Sequence, residues 1–154
     1  MPRWRRWIGS VVADDGSASL EFITAGLILL VPLVYLVVAV ANIQGASLAV
    51  AGAARQAARV YVTAPDPASA RERAGRAVVF ALADYGVNPS TASITVRCAP
   101  KPGACLTRSG RVTVTVEARA VLPLMPDVLD LPTAGSVPLR SAATQTVSRF
   151  WTGG

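Results

Sequence analysis

Charge disappears from the chain between Phe22 and Ala41. After Phe22 the sequence reads ITAGLILLVPLVYLVVAVA, in all about 20 residues, the length an α-helix needs to cross the hydrocarbon core of a bilayer. No strong breaker follows until Pro65, and NIQGASLAVAGAARQAARVYV is rich in alanine, the best helix former, so the spacing predicts one helix over 17–63. Gly45, Ala49 and Ala53 place a small residue at every fourth position, which permits close approach of another element. That element is the chain's own globular part, a neighbouring subunit, or both. Arg55 and Arg59, one turn apart, mark where the helix is solvated. Pro32 lies inside the apolar run, where neighbouring groups or a local adjustment can satisfy the backbone it frees.

Asp66-Pro67 reads as a helix start, a capping carboxylate followed by a residue with φ already set. The second helix is expected to run to about Tyr85 and stop at Gly86. Ala74, Ala77, Val78, Ala81, Leu82 and Tyr85 share its apolar face, while Arg71, Arg73 and Arg76 face solvent and Glu72 can pair with Arg76. Then the period changes to two. Ile94, Val96 and Cys98 alternate with polar residues. So do Val112, Val114, Val116, Ala118, Ala120 and Leu122, the clearest strand of the chain. Pro123 to Pro138 is proline-punctuated and predicts a crossover loop covering a sheet edge, with a last strand from Leu139 and a frayed end at Phe150 and Trp151. The fold class expected is α+β. A long N-terminal helix extends into a small globular domain with one further helix and a short antiparallel sheet of about three strands.

Composition narrows the chemistry. The 154 residues carry a formal net charge of +6, scattered along the chain and almost all arginine, with Lys101 the one lysine. A nucleic-acid interface would gather basic residues on one face among aromatics, and this pattern does not. Histidine is absent, removing the commonest general base and metal ligand, and the two cysteines, Cys98 and Cys105, do not complete a zinc site. No Ser-x-x-Lys or Gly-x-Ser-x-Gly pattern supplies a nucleophile, so neither an enzyme nor a cofactor is expected. Arg3, Arg5 and Arg6 before the first apolar helix predict a cytoplasmic start and an exported C-terminal part. Arg5-Arg6 lies too far from the apolar run, with Asp14 and Asp15 between, to read as a twin-arginine signal. In an exported domain Cys98 and Cys105 are expected to form a disulfide that ties the Pro/Gly-rich connection to the strand end.

At the head of the apolar run stands Glu21, where a carboxylate gains nothing from lipid and needs a partner. The sequence there is G-S-A-S-L-E-F: Gly16, four residues, Glu21, Phe22 and the apolar helix. This resembles the type III signal of prepilins, the precursors of type IV pilus subunits. The resemblance implies cleavage by prepilin peptidase between Gly16 and Ser17, with the apolar helix retained. It also implies that Glu21, fifth in the mature chain, neutralises the N-terminal amine of a neighbouring subunit during assembly, with Phe22 beside it at the contact. A rival is an ordinary secretory signal ending at Ala39-Val40-Ala41, but the run exceeds the usual apolar region of about 7–15 residues and Glu21 sits awkwardly at its head.

Over the whole chain the resemblance narrows to the TadE-like proteins, minor pilin-like components of the tight-adherence (Flp, type IVc) pilus. The residues that carry it are the prepilin motif, Pro32 in the apolar helix and the A-A-R-Q-A-A-R-V-Y continuation. To these add the paired cysteines, V-T-V-T-V leading to L-P-L-M-P, and L-R-S-A-A-T near the end. The resemblance implies a leader over 1–16, a helix over 17–63 with its membrane part at 22–41, and an exported domain over 64–154. It implies a single-pass protein of the cytoplasmic membrane, N-terminus inside, that joins a surface pilus or remains in the membrane. Its partners would be prepilin peptidase, other pilin-like subunits, the pilus assembly platform and membrane lipid, with no nucleic acid. The alternative is a signal-anchored or secreted envelope-binding module unrelated to pili.

Overall fold

The computed structural model describes residues 17–123 and 135–152. Helix α1 covers Ser17–Val62, Pro32 included, and helix α2 covers Pro67–Ala83. After a short 3₁₀ turn at Pro89–Thr91 come strands β1 (Ser93–Ala99), β2 (Arg111–Val121) and β3 (Ser136–Thr146). They form one antiparallel sheet in the order β1-β2-β3. This is the α+β arrangement expected. The chain divides into two compact units, residues 1–38 and 39–154.

The second unit holds the core. Alanines 46, 49, 53, 54, 57 and 58 of α1 are buried with Val50 and Tyr61, so the small-residue stripe packs within the chain's own domain. Ala70, Ala74, Val78 and Leu82 of α2 join the same core. From the sheet, Val112, Val114, Val116, Ala118 and Ala120 all point into it, as period-two alternation requires. Arg71, Arg73 and Arg76 are exposed, and Glu72 pairs with Arg76 at 2.7 Å.

Local chemistry fixes the element ends. The Asp66 carboxylate accepts from the backbone N–H groups of Ala68 and Ser69, both at 2.9 Å, and from the Ser69 hydroxyl. At the far end of α2, Gly86 takes φ +68°, its N–H donating to Ala83 O and that of Val87 to Leu82 O. That is the Schellman arrangement, with Val87 and Leu82 both in the core. The turn before β2 is tighter: Gly110 N–H donates to Thr107 O at 2.9 Å, while Gly110 O accepts from Val147 N–H at 2.8 Å. The expected disulfide is present, joining Cys98 at the end of β1 to Cys105.

Four expectations are corrected. Tyr85 is not on the buried face of α2: the helix ends at Ala83, and the Gly86 turn leaves Tyr85 56% exposed. Pro138 lies inside β3, which begins at Ser136 rather than Leu139. A proline is tolerated there because β3 is an edge strand whose outward side needs no N–H. β2 ends at Val121, so Leu122 lies past the strand, its N–H donating to Gly135 O at 2.8 Å. Trp151 is not frayed: its indole Nε1 donates to Ala64 O at 3.2 Å, and Arg108 Nε donates to its carbonyl at 2.9 Å. The rest of the expected crossover loop, 124–134, lies outside the described residues.

Three outcomes test this packing. A Cβ at Gly110 would stand 2.6 Å from Thr107 Oγ1 and 2.9 Å from Thr107 O, whereas one at Gly103 meets nothing within 4 Å. Gly110→Ala should therefore cost about 1–3 kcal/mol in chemical denaturation, and Gly103→Ala should leave the midpoint in place. Cys98→Ser, which opens a short loop, should cost about 2–3 kcal/mol. The Ser69 hydroxyl, then the Ser69 and Ala68 backbone N–H groups, hold the Asp66 carboxyl below the ordinary aspartate range, outweighing the opposing effect of burial. Because the folded value is depressed, its stabilisation is complete above the ordinary range and fades as pH falls through the lowered value. Asp66→Ala should thus be less stable than the parent at neutral pH, with the two denaturation curves converging in acid.

Candidate functional site

The half of α1 before Ala39 has a surface unlike the half after it. Leu20, Phe22, Ile23, Leu27, Ile28, Leu29, Leu30 and Val31 are all exposed, as are Leu33, Val34, Leu36, Val37 and Val38. These positions run round every side of a 3.6-residue turn, so this segment has no polar face to give to water. Exposing one such side chain forgoes about 1.5–3 kcal/mol of burial. From Ala39 onward the helix becomes one-sided: alanines turn inward, and Arg55, Gln56 and Arg59 are exposed. α1 is the helix among the described residues long and apolar enough to span a membrane by length and composition.

Polar groups within the run are few. The Thr24 hydroxyl donates to Leu20 O at 2.7 Å, so it brings no unmet donor into an apolar surrounding. From Phe22 to Ala54 no side chain is charged. Glu21 therefore stands alone at the head of a long uncharged surface. It is exposed, Phe22 next to it is 79% exposed, and no ion pair reaches Glu21 among the described residues. A carboxylate so placed can accept charge-assisted hydrogen bonds from a cation supplied by another chain. Ser17 opens the described part of α1, while Gly16 lies outside the described residues.

Cys98 and Cys105 are half-buried against the core of the second unit. Their bond anchors the 99–110 connection and the turn that delivers β2. The sheet carries one cross-strand ion pair, Glu117 with Arg140 at 3.3 Å, and a Thr113–Thr144 hydroxyl pair at 2.8 Å. Surface depressions at Thr91, Glu117 and Arg140, and at Thr63, Pro65 and Trp151, are open and lined mostly by exposed residues. Among the described residues no three His, Cys, Asp or Glu side chains gather to hold a metal.

Sequence reasoning missed the turn at Ala39 where the globular unit takes hold, because Ala39 lies inside an unbroken apolar run. It also missed the Trp151 tether. A lone tryptophan just past the last strand, in a chain with few aromatics, is the signal that could have found it. No protein-family model, curated protein or solved structure matches this chain.

Proposed function

We propose that the chain is a structural, pilin-like subunit resembling the TadE-like components of a tight-adherence pilus, and that it performs no catalysis. Prepilin peptidase would cut between Gly16 and Ser17, leaving α1 as a single-pass anchor with its N-terminus inside and the domain outside. From there it would join other pilin-like subunits at the assembly platform or within the pilus. The observation that carries this is the N-terminal half of α1, apolar on every side and headed by the one carboxylate Glu21. Such a surface suits lipid before assembly and neighbouring helices after it. The Cys98–Cys105 bond adds support for an oxidising, extracytoplasmic setting. Cleavage by an ordinary signal peptidase before Asn42 is less favoured, since it would cut within the unbroken helix α1, close to the buried Ala39.

Membrane-extracted protein should begin at Ser17, read by N-terminal sequencing. Gly16→Leu should accumulate the full-length precursor, because the scissile backbone must enter a tight site. Glu21→Ala should still be cleaved but fail to assemble. Removing one member of a buried charge pair typically costs about 3–5 kcal/mol, enough to stop a subunit docking. An N-terminus at Asn42, indifferent to Gly16→Leu, would end the pilin proposal in favour of a secreted module. Met1 in every variant would mark a plain anchor.

A further inference from the structure

The globular unit carries a rim of mixed polarity on the turn where α1 leaves its apolar run. Ala39, the third residue from the end of the run, is only 8% exposed and belongs to the globular unit. The second unit therefore begins inside the last turn of the run rather than beyond it. Around Asn42 and Ala46 the surface forms a depression shared with Tyr85, Val87, Asn88, Arg119 and Val121. Val87 is buried, but Tyr85 is 56% and Val121 68% exposed. Both stand at points where the backbone is turning out of an element: Tyr85 just past α2, and Val121 as the last residue of β2.

We propose that this rim, Tyr85 and Val121 beside Asn42, rests in the headgroup layer of the membrane, its occupant being phospholipid and not a protein partner. The proposal rests on the membrane-anchored reading of α1 and adds a second point of contact to it. Continuity supplies the main reason. Asn42 follows the run directly, so a helix spanning with 22–41 brings the side chains around Asn42 to the level where hydrocarbon gives way to headgroups. The chemistry fits that layer. Tyrosine has an apolar ring and a polar tip and is enriched at membrane interfaces. Val121 offers a purely apolar surface beside it. Among the described residues no carboxylate lines the depression, and Arg119, which does, supplies a cation for headgroup phosphate. Phe80 is as exposed as Val121 at 68%, yet does not line this depression, and serves as an internal contrast.

Single tryptophans report the contact in the full-length protein reconstituted into phosphatidylcholine–phosphatidylglycerol vesicles. The parent protein's own tryptophans set the baseline, and lipids brominated near the carbonyl or near the chain end act as depth-dependent quenchers. Tyr85→Trp, Phe80→Trp and Val31→Trp all alter exposed positions. The expected result is that the added emission at position 85 shifts to the blue and is mostly quenched by the shallow bromine. Position 31 should be quenched by the deep one, and position 80 by neither. If position 31 is quenched while position 85 behaves like position 80, the rim does not touch lipid and the proposal falls, although the anchor stands. A blue shift at position 85 without lipid quenching would mean a protein covers the rim, which also overturns it. Absence of quenching at position 31 would remove the anchored reading and this proposal together.

Discussion

The alanine face of α1 is what everything in the globular unit is built around. Alanines 46, 49, 53, 54, 57 and 58 are at most 5% exposed, and they share one core with the valine face of β2 and the inner face of α2. A helix with side chains this short lets its neighbours come close to its backbone, so contact is made by many small groups instead of a few large ones. Tyr61, Val50 and Leu82 supply the bulk that alanine lacks. The same choice keeps helix propensity high along α1 without a leucine stripe. Thus α1 can be apolar on all sides in one half and one-sided in the other, without a break at the boundary.

The periphery of the unit is held by a few specific ties. Cys98–Cys105, the Gly110 turn, the Val147–Gly110 bond and the Trp151–Ala64 bond all lie around the ends of β1 and β2 and the start of the connection to α2. β2 is central and satisfied on both sides, whereas β1 and β3 are edges. The edges carry the irregular features: a proline in β3 and a disulfide at the end of β1. Irregular chemistry is cheapest where one side of the ladder needs no partner.

What could be read from the sequence follows from which forces are local. α1, the Asp66 cap and the Val112–Ala120 alternation are set by propensity, side-chain capping and period, and they stand where expected. Tyr85 and Pro138 differ from expectation because their settings depend on tertiary context: a helix stopping two residues early, and a strand being an edge and not a centre. Ile94, inward by alternation, is 39% exposed because β1 lies at the margin of the core. Trp151 depends on Ala64, 87 residues away, which no local pattern encodes. Of the candidate site, the apolar run and Glu21 were legible because lipid-length apolarity is a composition signal. The burial of Ala39 was not, since the sequence is apolar on both sides of it.

The order in which these parts are made has its own consequence. β3 and Trp151 come last, yet β2 needs β3 as a neighbour and Trp151 closes onto Ala64 across 87 residues. At a synthesis rate of about 5–20 residues per second, that interval lasts roughly 4–17 s. Throughout it the inward face of α1 has already been made and has nothing complete to fold against. A leucine face left waiting would invite aggregation. An alanine face exposes far less apolar area, so the delay is tolerated. The unit's closing contacts therefore wait until β3 and Trp151 have been made.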